Sequence, residues 1–233
     1  MIHSAIPLPN LSIIIPTLNE SFQLGQCLKS VDGIAGEIII VDGGSLDNTI
    51  SIARNHGCKV IVTSCGRGQQ LAAGAREATK TWFLFLHADT TLDHQWSRVV
   101  SHFMTLPQNK KKVAAFRYKN DLPGLSGRLL EKFVMVRGHL GLAYGDQGLL
   151  IESSHYARLG GYKELVIMED VEFCRRIGRQ NIEIIDAFAL TSGRRYRRTG
   201  VLLRGLRNMI CLGLYFLGIP TETIWKLYGK SPK

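Results

Sequence analysis

Four short runs of apolar, largely β-branched residues recur through the first part of the chain, at positions 11–15, 37–41, 59–62 and 82–86. Each is closed by polar residues, glycine or proline, the pattern of strands buried on both faces. Between them lie segments of helical period. Positions 21–31 place Phe22, Cys27, Leu28 and Val31 on an inner face. Positions 47–56 start at a capping Asp47, and 70–79 are rich in alanine. Strand and helix alternating at this spacing predict parallel strands joined by crossover helices, a doubly wound α/β sheet. Such sheets bind ligands beyond the carboxyl ends of their strands. The polar clusters 17–20, 42–45 and 87–90 all fall at those ends.

The second half is less regular. It predicts a helix over 93–105, a strand over 113–118, a Gly-, Leu- and Arg-rich stretch over 122–142, and a strand over 149–152. A short helix over 154–159 is stopped by Gly160 and Gly161. A helix from 168 to about 179, a β-like run over 182–191 and a strongly apolar helix over 201–217 follow. With no internal repeat and no low-complexity linker, the economical organisation is one domain over 1–200 and a C-terminal helical extension over 201–233.

Composition narrows the classes. A chain of 233 residues, 45% hydrophobic and 21% charged, has the make-up of an ordinary globular domain, which argues against disorder. Positions 1–10 lack the basic and apolar regions of a secretory signal. The cysteines are five in number, with no Cys-x-x-Cys pair. Buried, inert thiols and a cytoplasmic location are therefore expected, rather than a disulfide framework or zinc. The net charge of +10 is concentrated at the end: positions 194–233 carry nine basic residues against one acid, Glu222. Such a region attracts phosphates, whether on a nucleotide, a lipid headgroup or a nucleic acid. A nucleic-acid partner is disfavoured because no aromatic stacking platform is interleaved with the charge. Fourteen uncharged residues separate Arg207 from Glu222, short of the ~20 a spanning helix needs. That segment suits either packing on the core or peripheral contact at the cytoplasmic membrane face.

Several constellations carry candidate chemistry. Asp42, Gly43 and Gly44 form a strand-to-helix turn in which glycines permit close backbone approach and the carboxylate can accept from a base or ribose; a plain Asx turn is the alternative. Arg67, near Gln70, offers a fork matching diphosphate oxygens, or a solvated guanidinium. His87-Ala88-Asp89 ends a buried strand, and Asp89 is either a ligand for Mg²⁺ or Mn²⁺ or a helix cap. Glu169 and Asp170 are either caps of a helix start or include a general base. Arg194 and Arg195 belong to a cluster suited to a pyrophosphate, to lipid headgroups or to solvent.

Taken in order, Ile-Ile-Pro-Thr-x-Asn-Glu (14–20), Val-Asp-Gly-Gly-Ser-x-Asp-x-Thr (41–49), Gly-Arg-Gly-x-Gln (66–70), Leu-His-Ala-Asp-Thr (86–90), Gly-Asp-Gln-Gly (145–148) and Met-Glu-Asp-Val-Glu (168–172) resemble the family 2 glycosyltransferases of GT-A fold. More narrowly they resemble the small bacterial radical-SAM/selenodomain-associated subgroup. The resemblance runs through Ser-Gly-Arg-Arg (192–195) and Leu-Gly-Ile-Pro (217–220). It implies a Rossmann-like, mostly parallel central sheet and an inverting, metal-dependent transfer from a nucleotide-diphosphate sugar, with a UDP-sugar favoured. The acceptor hydroxyl stays open, a lipid-linked one included. Pro16, Thr17, Asn19, Glu20 and Asp42 would line the nucleobase and ribose pocket, with Gly43, Gly44, Arg67, Gln70, His87 and Ala88 completing the nucleotide contacts. Asp89 would hold Mn²⁺ or Mg²⁺, and Asp146 and Gln147 would face sugar or acceptor. Asp170 would be the catalytic base beside Glu169, with Arg194 and Arg195 on the diphosphate. The chain departs from the family's Asp-x-Asp at its first acid, which is His87. A nucleotidyltransferase and a non-catalytic nucleotide-sugar-binding or membrane-associated scaffold of the same fold are the rival readings; the first lacks its glycine-rich phosphate loop after the first strand.

Overall fold

The structure, a computed structural model, describes residues 5–139 and 145–228, without the side chains at 139, 195, 198, 199 and 202. The first half follows the expected alternation: β1 (Leu8–Thr17), α1 (Leu24–Val31), β2 (Ala35–Asp42), α2 (Thr49–Asn55), β3 (Lys59–Val62), α3 (Arg67–Glu77) and β4 (Trp82–Phe85). Then come β5 (Thr90–Leu92), α4 (Trp96–Thr105), β6 (Val113–Asn120), α5 (Gly124–His139), β7 (Leu149–Glu152), α6 (Ser153–Arg158), α7 (Glu169–Ile177) and β8 (Ile182–Thr191). Helices α8 (Arg194–Thr199), α9 (Val201–Phe216) and α10 (Thr221–Tyr228) end the described chain.

The strands form one eight-stranded sheet in the order β3-β2-β1-β4-β7-β6-β8-β5. β1 runs parallel to β2 and β4, β2 to β3, and β6 to β8. The second half differs from a purely doubly wound sheet. β7 inserts antiparallel between β4 and β6, and β5 pairs antiparallel with β8. Antiparallel neighbours are not bound to the strand–helix–strand crossover of parallel ones, so the periodicity that marks the first half fades here.

Alternation along the buried strands feeds two cores. Ile13, Ile15 and Leu84 point to one face, against Leu24 and Leu28 of α1 and Trp96, Val100 and Phe103 of α4. Ile14, Val41, Phe83 and Phe85 point to the other, against Leu71 of α3, Tyr156 of α6 and Phe173 and Ile177 of α7. Covering both faces is what makes these strands read as continuous apolar runs. A separate small core joins Cys211 of α9 and Ile224 of α10 to Ile167, just before α7. One face of α9 therefore packs on the segment that carries the acid pair. Among the described residues no helix is long and apolar enough to cross a membrane.

Further outcomes differ from expectation. Within the 122–142 stretch Gly124–His139 are helical as α5, and α8, α10 and the three-residue β5 carry no clear signal of their own. The cysteines are all free, but Cys65 is exposed and Cys58 half-buried, so only Cys27, Cys174 and Cys211 are core thiols.

Candidate active site

The carboxyl ends of β1 and β2 are tied together by their own polar residues. Asp42 is fully buried. Its Oδ1 accepts from the amides of Gly44 (2.9 Å) and Ser45 (2.7 Å), its Oδ2 from the hydroxyls of Thr17 (2.9 Å) and Ser45 (2.6 Å). Four donors fill the lone-pair sites of a carboxylate, so Asp42 shapes the turn. Gly44 lies at φ 92°, the left-handed region that glycine tolerates. Across the gap Asn19, itself at φ 54°, accepts from the Leu46 amide (2.8 Å), and the Glu20 amide donates to the Thr49 hydroxyl (2.9 Å). Gln70 is buried, its Nε2 donating to the carbonyls of Thr17 (2.8 Å) and Val41 (2.7 Å). A Cβ at Gly43 would crowd that amide. Pro16, Thr17, Asn19, Glu20, Asp42, Gly43, Gly44 and Gln70 thus form one rigid loop pair beyond two parallel strands, the place where such sheets bind ligands. Arg194 reaches this loop through Glu20, Nη2 to Oε2 at 3.5 Å. The Arg195 side chain lies outside the described residues.

The second cluster is assembled from distant segments. Helix α3 begins hard against the 163–165 segment, where a Cβ on Gly68 would collide with the carbonyls of Lys163 and Leu165. That approach brings Arg67 to the start of α7. Its Nε donates to Oε1 of Glu169, and its Nη2 stands 3.8 Å from Oδ2 of Asp170. Glu169 has no exposed surface, and its Oε2 finds no hydrogen-bond partner among the described residues. Met168, immediately before it, sits at φ 67°, a left-handed conformation that an L-residue holds only when its surroundings impose it. Burial and the neighbouring Glu169 charge push the Asp170 carboxyl up to about 6, against the pull of Arg67 and of the Gly145 amide, which donates to Oδ2 at 3.1 Å. The Tyr162 hydroxyl donates to Oδ1 at 3.3 Å.

The second cluster opens on a cleft of about 750 Å³, whose lining includes Arg67 and Asp170 but none of 16–20, 42–44 or Gln70. Arg67, His87, Asp89, Asp146 and Asp170 form its polar floor. His87 and Asp170 are brought together at Gly145, where a Cβ would strike both side chains. Asp146 is held by Arg137, Nη2 to Oδ1 at 2.7 Å, and its carbonyl accepts from Thr191. Two expectations are corrected. Gln147 does not face the cleft: it is buried, with Nε2 donating to the Phe116 carbonyl (3.0 Å). Glu169 lies beneath the floor, paired with Arg67, while Asp170 alone of the two opens on it. Arg67, expected on a diphosphate, is committed first to these acids. Ala88 is buried in the core behind His87.

Asp89 and His87 offer one carboxylate and one imidazole to the cleft, and no group of three or more ligating side chains is found among the described residues. That set does not make a protein cage. It fits a hard divalent ion that takes most of its ligands from phosphates and water. Residues the sequence did not single out also enter the cleft: Arg137 and Tyr118, then Tyr196, Arg204 and Tyr228 from the terminal helices. Arg204 Nη2 donates to the Tyr228 hydroxyl (3.3 Å), and the Arg207 guanidinium lies 4.3 Å from the Tyr228 ring centre. The concentration of positive charge near the end of the chain was their one visible signal.

A family profile described as glycosyl transferase family 2 matches residues 12–157, well over half the chain. The chain belongs to glycosyl transferase family 2. Among curated family members it is similar to a PGL/p-HBAD biosynthesis glycosyltransferase of Mycobacterium bovis, 43% identical over 94 residues. The match covers 36% of this chain and 37% of the relative's length, so the chain spans little more than a third of that curated relative. Among solved structures the fold is similar to glucosyl-3-phosphoglycerate synthase from Mycobacterium tuberculosis, in complex with Mn²⁺, uridine-diphosphate and glucosyl-3-phosphoglycerate. There the TM-score is 0.61 at 19% identity, covering 91% of this chain and 81% of that one. It is also similar to the mannosyltransferase PcManGT from Pyrobaculum calidifontis in complex with GDP-Man and Mn²⁺, with a TM-score of 0.58 at 17% identity, over 80% and 59% of the two chains. The family 2 chain thus has the GT-A fold, its sheet curled and flanked by helices.

Proposed function

We propose that the protein transfers a sugar, with inversion, from a nucleotide-diphosphate donor to an acceptor hydroxyl, and that Asp170 is its base. One observation carries the reading: Asp170 alone of the acid pair opens on the cleft, its carboxyl raised toward neutrality by burial and by Glu169. A base works best when its pKa lies near the working pH. In the reaction the acceptor oxygen attacks the anomeric carbon, its proton passes to Asp170, and the bond from that carbon to the diphosphate oxygen breaks. The nucleoside diphosphate leaves with the electron pair.

The loop pair of 16–20 and 42–45 is suited to the nucleoside, since it is pre-ordered by its own hydrogen bonds and needs little reorganisation. The solved structures of similar fold in complex with UDP or GDP-Man support a nucleotide-sugar donor, and uridine is the nucleoside we favour. Asp89, with His87 beside it, would hold Mn²⁺ or Mg²⁺; when bound, that ion neutralises charge on the departing diphosphate. Arg194, next to Glu20, is placed to meet the same charge from the loop side.

Titration calorimetry with UDP and GDP, with and without Mn²⁺, tests the donor. Turnover of the Asp170→Asn variant tests the base. Metal-dependent nucleotide binding that survives Asp170→Asn, with transfer lost, is the expected pair of results. Full transfer by the variant would remove Asp170 from the base role, and absence of all nucleotide binding would remove the donor.

A further inference from the structure

The polar floor of the cleft has walls of a different character. From α5 come Leu129, Phe133 and Val136, and from α9 Leu206 and Met209, each at least half exposed. The stripes continue outside the cleft, through Leu125 at the start of α5 and through Leu203, Ile210 and Leu217 along and just past α9. Spacings of three and four residues place each stripe along one side of its helix. On α9 the adjoining face is already used, since Cys211 and Leu214 pack with Ile167 and Ile224. A helix apolar on two faces, one of them bare and running into a catalytic cleft, is not explained by core packing; apolar surface of this extent marks a binding surface.

We propose that the acceptor is an amphiphile drawn from a lipid bilayer, a hydroxyl carried on a long hydrocarbon chain that lies between α5 and α9 with the hydroxyl at Asp170. The proposal rests on the glycosyltransferase reading and names the acceptor class for the same site. A small polar acceptor would find few hydrogen-bonding groups along these walls, whereas each methylene buried there strengthens binding about fourfold. The exposed Arg128 and Lys132 stand on α5 next to its apolar stripe. Cations beside bare apolar residues are the arrangement that holds a protein at an anionic bilayer surface. Continuity of the stripes with the cleft lets the chain enter from the bilayer without crossing water.

The test uses the whole protein with phosphatidylcholine–phosphatidylglycerol vesicles that contain a diazirine-bearing hexadecanol, followed by photolysis and peptide mapping. The label should fall on α5 and α9. Leu129→Asp and Leu206→Asp change exposed positions, and each should reduce labelling and vesicle co-sedimentation on the order of tenfold, the loss of one leucine contact. UDP affinity in Mn²⁺ and the melting temperature should stay at the wild-type values. Labelling elsewhere, or labelling unchanged in both variants, overturns the proposal. So does a stable dimer that shields Leu129 and Leu206 and leaves vesicles unbound. Loss of nucleotide binding in the wild type, with α5 and α9 still labelled, would instead overturn the transferase reading and leave the apolar cleft standing.

Discussion

Arg67 and Glu169, 102 positions apart in the chain, meet in a charge-assisted hydrogen bond whose carboxylate partner has no exposed surface. The pair fastens α3 to α7 and fixes where Asp170 stands. Removing the cation would leave a buried carboxylate without its counter-charge, a mechanism that destabilises more than the pair itself stabilises. Arg67→Ala should therefore lower unfolding free energy by about 2–3 kcal/mol, toward the low side because Arg67 is 39% exposed. Urea denaturation measures it. Adding Glu169→Gln to Arg67→Ala should recover part of the loss; a fully additive double variant would show that the two do not interact.

The raised carboxyl of Asp170 sets a pH dependence. As the base must be ionised, transfer should rise with pH through an apparent pKa of about 6 and level off above it. The sign for stability is opposite. Between the ordinary carboxyl value of 3.8 and about 6 the folded state holds the proton more tightly than the unfolded chain. This group's contribution to stability therefore declines as pH rises across that window. Glu169→Gln removes a neighbouring negative charge and frees Arg67 for Asp170, so the rising limb of the rate profile should move to lower pH. A limb that moves upward or stays fixed would mean that another group controls it.

Gly145 offers a steric test of the same centre. Its amide donates to Asp170, and an added methyl would run into both the His87 ring and the Asp170 carboxylate. Gly145→Ala should therefore depress transfer at least tenfold, the scale on which small displacements of reacting groups act. Nucleotide affinity should change much less, because the loop pair at 16–20 and 42–45 is not touched. Comparing kcat with UDP affinity in this variant separates the two.

Much of this arrangement is legible in the chain itself, for reasons that differ between its halves. Strands buried on both faces, such as 11–15 and 82–86, write an unbroken apolar signal, and the polar residues after them mark the ligand end of the sheet. The β7 insertion leaves no such mark, because antiparallel returns obey no crossover spacing. Helix α5 was hidden for the reason that makes it interesting: Leu129, Phe133 and Val136 are exposed, so its apolar residues do not resolve into one buried stripe. Asp42 and Gln70 announced polar chemistry, yet much of it is spent on holding the turn. Arg204 and Tyr228 reach the cleft only through the fold of α9 and α10, which no local pattern encodes.

Asp42 gives the clearest separation of a shaping role from a contact role. Its four donors all come from its own loop pair, so Asp42→Ala would orphan the Thr17 and Ser45 hydroxyls and two amides. A loss of about 3 kcal/mol in stability is expected from charge-assisted hydrogen bonds of this number, allowing for replacement by water. UDP affinity should fall as well, through disorder of the loop. Asp42→Asn keeps the shape and one carboxyl-like oxygen, so it should restore more stability than Asp42→Ala. Parallel thermal melts and calorimetry decide the matter: an Asp42→Ala protein of wild-type stability with weakened UDP binding would assign Asp42 to the nucleotide rather than to the turn.

The ion site can be tested through the position that departs from the family pattern. Asp89 brings one carboxylate to the cleft and His87 an imidazole, while hard divalent ions prefer oxygen ligands. Replacing the carboxylate by Asp89→Asn should weaken UDP binding in Mn²⁺ by tenfold or more and leave binding without metal unchanged, because the proposed nucleoside contacts are those of the loop pair at 16–20 and 42–45. His87→Asp supplies a second carboxylate near the first and should tighten Mn²⁺ binding, read directly from the electron spin resonance of the free ion. The new charge would also stand near Asp170, across Gly145, and like charges raise a carboxyl's pKa. In the absence of metal the rising limb of any residual activity should thus shift upward in this variant, and Mn²⁺ should bring it back down. If His87→Asp leaves Mn²⁺ affinity unchanged and Asp89→Asn leaves metal-dependent UDP binding intact, the ion is held elsewhere or is not used.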